Sequence, residues 1–77
     1  MLNSKTLNVI LRMNDLIYRR QTGNSYEFAE KLGKSRSSLF VYLNIMRTLG
    51  APIAYCPYSR SYYYVEKGRF KIGFSFE

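Results

Sequence analysis

The sequence predicts a small α+β domain in which three helices precede a β-hairpin and a short C-terminal strand. Apolar residues recur at helical spacing up to about residue 49, and the pattern changes to alternation after Pro52. The chain has 77 residues, which is too few for two hydrophobic cores. Residues 1–77 are therefore expected to form one domain.

The first helix is expected over about residues 4–22 and is followed by Gly23. Its apolar residues form two stripes on a helical wheel. The stripe assigned to the core consists of Leu7, Ile10, Leu11, Ile17 and Tyr18, and the nearly opposite stripe contains Val9, Met13 and Leu16. A helix that is apolar on two sides must be covered on both. The second stripe is expected to meet the C-terminal segment or another copy of the protein.

Two shorter helices follow, over about residues 25–32 and 35–49. Asn24 and Glu27 have the spacing of a capping box, and Ser35 can cap the third helix. Gly50 and Pro52 prevent that helix from continuing. The residues expected to face the core are Phe28, Ala29 and Leu32 in the second helix and Leu39, Leu43, Met46 and Leu49 in the third, with Tyr42 at the edge.

The segment at about residues 52–66 is expected to form a β-hairpin, because "IAYC" and "YYYV" flank the turn "PYSR". Alternation places Tyr62 and Tyr64 on one face and Tyr63 and Val65 on the other. We interpret the tyrosines as rings packed on a strand rather than as a stacking platform for single-stranded nucleic acid. A final strand at about 69–76 has one apolar face.

The positive charge is concentrated in one part of the chain. The net charge is +7, and five basic residues but no acid lie between Lys31 and Val65. The segments on either side carry +1 each. This asymmetry is typical of a surface that binds a polyanion, since neutralised phosphates release counterions and nearby carboxylates would oppose that gain.

Other function classes have little support in the sequence. Without histidine and with the single cysteine Cys56, no metal or cofactor site is expected, and Cys56 is interpreted as a small strand residue. Glu27 and Glu30 are the only acids spaced to share a helix face, and no phosphate-binding loop or nucleophile motif occurs, so no enzyme is expected. No signal peptide or membrane span is recognisable, which predicts a cytoplasmic protein.

Three helices, the last two joined by a tight glycine turn, followed by a hairpin, is the element order of a winged helix-turn-helix. The stretch "EFAEKLGKSRSSLFVYLNIMRTLGAPIAY", followed by "SYYYV", resembles the winged-helix domains of DeoR-type and biotin-repressor-like regulators. The similarity covers roughly residues 7–65. The matching positions are Glu27-Phe28-Ala29, Ser35, Met46, Gly50-Ala51-Pro52-Ile53 and Ser61-Tyr62-Tyr63.

The resemblance implies a small transcriptional regulator that binds double-stranded DNA, with the third helix in the major groove and the hairpin on the backbone or the minor groove. Hydroxyls, free backbone N–H groups and the helix dipole at the start of that helix can meet a phosphate. The candidate DNA-binding residues are Lys34, Ser35, Arg36, Ser37, Ser38, Phe40, Val41, Asn44, Arg47 and Arg60. A homodimer through Val9, Met13, Leu16 and the strand at 70–76 is also expected.

One position departs from the family. Where Val41 stands, the resembled regulators often have an arginine that contacts DNA, and valine cannot replace that contact. Ser37, Phe40, Val41 and Asn44 share the outward face of the third helix. This face can pack on thymine methyls while Asn44 reads adenine, Phe40 can fold onto the hairpin or the second helix as core, or the face can bind a protein. The alternative function is therefore a winged-helix protein-interaction module without DNA binding.

Overall fold

The computed structural model of the protein describes residues 3–65. The elements are α1 (Ser4–Tyr18), α2 (Ser25–Leu32), α3 (Arg36–Thr48), β1 (Ile53–Cys56) and β2 (Ser61–Tyr64). The strands pair antiparallel, with Ile53 opposite Tyr64 and Cys56 opposite Ser61. This confirms the predicted α+β class and the order of three helices before a hairpin. The strand predicted at 69–76 lies outside the described residues.

Side chains cap the start of each helix. Asn3 accepts a hydrogen bond from the Thr6 N–H at 2.8 Å at the start of α1. Asn24 and Glu27 form the predicted capping box, in which each side chain accepts from the other residue's backbone N–H. The Ser35 hydroxyl accepts from the Ser38 N–H at 3.1 Å. The starts of α2 and α3 therefore follow from local sequence, as predicted.

All three helices end with the same backbone motif. The residues that turn the chain in the left-handed conformation are Arg20, Gly33 and Gly50, with φ of 56°, 68° and 103°. At the end of α1, the Gln21 N–H donates to the Leu16 carbonyl at 2.9 Å, which closes a Schellman motif. The predicted end at residue 22 is wrong, because the chain already turns at Arg20 and α1 stops at Tyr18.

The core-facing side of α1 differs from the prediction. Ile10, Met13 and Ile17 are fully buried, whereas Leu11 and Tyr18 are 36% and 66% exposed. Val9 and Leu16 pack against the core. The two predicted stripes are the borders of one broad apolar arc, and the middle of that arc faces the core. Of the second stripe, Met13 is thus covered within the protomer, whereas Val9 and Leu16 pack against the core and are only partly buried.

The remaining core follows the predicted faces. Phe28 is fully buried, with its ring centroid 5.5 Å from that of Tyr62, and Leu39, Leu43 and Met46 of α3 are buried as predicted. Leu49, which was also expected to face the core, is only partly buried. Tyr64 is buried on the same face of β2, and its hydroxyl donates to Asn14 Oδ1 at 2.6 Å. Val65 on the other face is 59% exposed. Within residues 3–65, no helix combines the length and apolar character needed to cross a bilayer.

A buried pair of hydroxyls joins the α1–α2 connection to the hairpin. Thr22 and Ser61 are 0% and 1% exposed, and their side-chain oxygens lie 3.1 Å apart. The Thr22 hydroxyl accepts from the Tyr62 N–H at 2.8 Å, while the Ser61 hydroxyl accepts from the Thr22 N–H at 3.2 Å. Buried polar groups cost stability unless they are paired. This reciprocal pairing holds β2 against the connection.

Replacing Ser61 by alanine is expected to lower the free energy of unfolding by about 1–3 kcal/mol, because the buried Thr22 N–H loses its acceptor. Urea denaturation followed by circular dichroism measures the change. Ser37→Ala, which removes an exposed hydroxyl from α3, is the matched control and should change stability by less than about 0.5 kcal/mol. Equal stability of the two variants would contradict a structural role for the hydroxyl pair.

Stability is expected to fall as the pH rises above about 10, the ordinary tyrosine value. Burial raises the pKa of Tyr64 well above that value, so the unfolded chain releases a proton that the folded protein keeps. Urea midpoints measured from pH 9 to 11 should decline, and Tyr64→Phe should flatten the decline by up to about 1.4 kcal/mol per pH unit. Tyr58→Phe, at a ring that is 95% exposed, serves as the control and should keep the wild-type slope.

Candidate nucleic-acid interface

The turn between α2 and α3 presents polar and basic groups on the surface. Lys34 is exposed immediately after Gly33, and Ser35 caps α3. The Ser35 hydroxyl also donates to the Ser38 hydroxyl at 3.2 Å, so these two serines partner each other. The backbone N–H groups of Arg36 and Ser37, in the first turn of α3, have no acceptor within the helix. Together with the positive end of the helix dipole, they make this turn attractive to an anion.

Arg36 is the centre of a cluster with Ser25, Tyr26 and Phe40, which we call the Arg36 cluster. Its guanidinium carbon lies 4.0 Å from the centroid of the Tyr26 ring and 5.5 Å from that of the Phe40 ring. Both distances are within the range of a cation–π interaction. Its Nε donates to the Ser25 hydroxyl at 3.0 Å. The guanidinium is therefore held by α2 on one side and by its own helix on the other.

The Arg36 cluster remains open to solvent. Tyr26 is 65% exposed and Phe40 is 45% exposed, so neither ring belongs to the core. Among residues 3–65, no group accepts a hydrogen bond from the two terminal nitrogens of Arg36. The idea that Phe40 is a core residue is wrong, because its ring lies against the Arg36 guanidinium at the surface. Those two terminal nitrogens are left to donate to a ligand.

The outward face of α3 is placed as predicted. Ser37 and Asn44 are exposed, and Val41 is 58% exposed. On the side away from Arg36, this face borders an open groove of about 270 Å³ between α1 and α3. The groove is lined by Thr6, Ser38, Val41, Tyr42 and Ile45. Ser38 and Val41 thus form a groove wall, while Phe40 belongs to the opposite flank of the helix.

Arg47 connects the end of α3 to the hairpin. Its Nη2 donates to the Ile53 carbonyl at 3.3 Å. Burial raises the pKa of Tyr62, and the positive charges of Arg47 and Arg36 act in the opposite direction. Arg47 therefore has a structural partner, whereas the sequence suggested only a flanking contact to DNA.

Arg60 lies in the hairpin turn and is fully available to a partner. It is exposed, and its φ of 55° places it in the left-handed region that glycine adopts more easily. It makes no hydrogen bond or ion pair with residues 3–65. Lys31 is different, because its Nζ donates to the Gln21 carbonyl at 2.6 Å. Within the acid-free window, Lys34, Arg36 and Arg60 are thus the cations left for a ligand.

Ser25 and Tyr26 are not among the residues predicted from the sequence. The position of Tyr26 could have been found, because Phe28 and Ala29 face the core and the wheel then turns Tyr26 toward solvent. Its pairing with Arg36 could not, since that contact depends on how α2 packs against α3. The exposed ring beside a basic turn is the signal that was available.

Residues 3–65 bring together no group of three histidine, cysteine, aspartate or glutamate side chains that could hold a metal ion.

Comparison with protein-family models, with curated proteins and with solved structures gives no match to this chain. The geometry and charge of the interface are therefore the basis for a functional assignment.

Proposed function

We propose that the protein is a winged helix-turn-helix transcriptional regulator that binds double-stranded DNA. The observation that carries the proposal is the first turn of α3, where Lys34, Arg36 and free backbone N–H groups are exposed together in a part of the chain that has no acid. The layout of three helices followed by a two-stranded antiparallel sheet is compatible with that fold. Here α3 is the recognition helix and the hairpin is the wing.

The shape of α3 supports duplex DNA as the ligand. An α-helix fits the major groove of B-form DNA, and in helix-turn-helix proteins the N-terminal residues of the recognition helix contact the base edges. In α3, those residues are Arg36 and Ser37, and Asn44 lies two turns further along the exposed side. Lys34 and the N–H groups of the first turn then lie beside the phosphate backbone.

The hairpin supplies a second point of contact in this proposal. Arg60 is the basic residue of the turn, and it can meet a backbone phosphate or enter a narrow minor groove. Tyr62 and Tyr64 are buried and cannot stack on bases, which leaves Tyr55 and Tyr58 as the exposed rings of the hairpin. The wing then anchors the protein while α3 reads the groove.

A second candidate function is a protein-interaction module. The observation that favours it is the groove of about 270 Å³ beside Val41, an exposed apolar residue that cannot bond a phosphate. Such a groove can receive an apolar side chain from a partner protein. The basic first turn of α3 has no special role in that case, which separates the two functions experimentally.

Homodimerisation remains part of the proposal, because two recognition helices could then occupy half-sites about one turn of DNA apart. Of the α1 residues expected at the dimer surface, Met13 is fully buried, and Val9 and Leu16 are partly buried. The strand proposed at 70–76 lies outside the described residues. Analytical ultracentrifugation over a range of concentrations tests the dimer directly, and a monomer throughout would exclude it.

DNA binding is expected to weaken steeply with salt. A titration of a random-sequence duplex at several low salt concentrations should give a log–log slope of about −0.9 for each phosphate neutralised. With Lys34 and Arg60 as the phosphate contacts, the slope should be about −1.8 or steeper. Absence of binding at the lowest salt concentration would reject DNA as the ligand and favour the protein-interaction module.

Arg60→Gly and Arg20→Gly form a matched pair of variants. Each variant removes one positive charge and places glycine where the backbone has the left-handed conformation. Arg20 lies 4.7 Å over the Tyr63 ring and has no proposed contact with DNA. Arg60→Gly is expected to make the salt slope shallower by about 0.9, whereas Arg20→Gly should leave it unchanged.

Thermal melts show whether either change acts through folding. Arg60→Gly relieves a backbone conformation that costs other residues about 1 kcal/mol, so the variant should melt no lower than the wild type. A loss of DNA contact without a loss of stability would then be specific to the wing. Identical salt slopes for the two glycine variants would place the hairpin turn away from the DNA.

A further inference from the structure

We propose that Arg36 reads a guanine in the major groove and that Tyr26 and Ser25 of α2 hold its guanidinium in the reading position. The inference rests on the proposed DNA-binding function and adds the base that is recognised. It assigns a role in base recognition to α2, the helix that precedes the recognition helix.

The contacts of Arg36 leave one edge of the guanidinium for the ligand. Nε is occupied by the Ser25 hydroxyl at 3.0 Å, and the Tyr26 ring lies 4.0 Å from the guanidinium carbon. The two terminal nitrogens therefore form the available donor edge. Two such donors match the O6 and N7 acceptors that guanine presents side by side in the major groove.

The alternative ligand of the same edge is a backbone phosphate. A phosphate also accepts two parallel hydrogen bonds from a guanidinium, so the fixed orientation of Arg36 suits either ligand. Arg36 is the first residue of α3, the part of a recognition helix that reaches base edges. This position favours guanine.

Arg36, Phe40 and Asn44 follow one another along the exposed side of α3. Residues four apart on a helix are separated by about 6 Å along its axis, which is close to two base-pair steps of DNA. The three side chains can therefore read, in order, positions about two base pairs apart. Phe40 suits a thymine methyl and Asn44 suits adenine, so in the preferred site the guanine should lie about two base pairs from a thymine and about four from an adenine.

Selection of bound sequences from a random duplex pool tests the proposal, with the wild type and Arg36→Lys compared in parallel. The wild type should enrich one guanine position. Arg36→Lys keeps the charge but loses the planar fork, so preference for guanine at that position should fall by about tenfold or more while other positions keep theirs. Arg60→Lys, the same change in the hairpin turn, is the control and should retain the guanine preference.

Modified bases in the selected duplex identify the groove. Replacing the guanine by 7-deazaguanine removes the N7 acceptor and should weaken binding of the wild type more than binding of Arg36→Lys. Replacing it by inosine keeps N7 and O6 and removes only the minor-groove amino group. Inosine should therefore bind like guanine, and a loss with inosine would assign the contact to the minor groove and overturn the proposal.

The positioning role of Tyr26 has its own test. Tyr26→Leu removes the ring without changing charge and should reduce the guanine preference, whereas Tyr26→Phe keeps the ring and should restore it. Because Tyr26 is 65% exposed, both variants should fold, and circular dichroism checks this. A guanine preference that is equal in the leucine and phenylalanine variants would exclude a positioning role.

The outcomes separate this inference from the proposed function. Salt-dependent duplex binding with no enriched guanine, or with a guanine preference that survives in Arg36→Lys, would overturn the guanine assignment and leave DNA binding intact. Absence of duplex binding by the wild type would overturn both.

Discussion

The buried contact between Thr22 and Ser61 determines how the two halves of the proposed interface lie relative to each other. The residues are 39 positions apart in the chain, and their hydroxyls lie 3.1 Å from one another in the interior. Thr22 leads into Ser25 and the start of α2, and Ser61 directly follows the turn that carries Arg60. The hydrogen bonds of Thr22 and Ser61 thus join the segment before α2, the helix that supports Arg36, to the hairpin. Since a buried hydroxyl is costly when unpaired, the geometry has little freedom to change.

Local rules explain the parts of the fold that were predicted correctly. Asn24, Glu27 and Ser35 cap their helices through contacts within three residues, and the core side of α3 follows from the spacing of Leu39, Leu43 and Met46. Such interactions depend on backbone geometry that the sequence itself specifies. The α+β order, the hairpin and the outward face of α3 follow for the same reason.

The predictions were wrong where packing against several neighbouring elements determines which residues are buried. The apolar arc of α1 is so broad that periodicity alone does not fix its centre, and only the packing of α2 and β2 shows that Met13 is buried. Arg20 ends α1 where a glycine was expected to do so. The Thr22–Ser61 pair joins segments far apart in the chain, and the Arg36–Tyr26 contact depends on how α2 packs against α3. Neither has a local signature in the sequence.

Fewer positive charges are available at the candidate interface than the five basic residues between Lys31 and Val65 would indicate. Lys31 and Arg47 each donate to a backbone carbonyl and so help to hold the fold together. Lys34, Arg36 and Arg60 remain as exposed cations that are available to the proposed ligand. The same division explains the two apolar residues of α3, since Phe40 supports a guanidinium on one flank while Val41 borders a groove on the other.

The connection between α2 and α3 is short, which limits where residues can be inserted into the chain. Only Gly33, Lys34 and Ser35 separate the two helices, and each residue of a helix advances the direction of the side chain by about 100°. One inserted residue would rotate α3 by about 100° relative to α2. This rotation would turn Leu39 and Leu43 away from the interior and move Arg36 away from Tyr26. The turn at 57–60 has no helical phase to preserve, but its length sets the register of β1 and β2 and it carries Arg60, so an insertion there would displace the proposed wing contact.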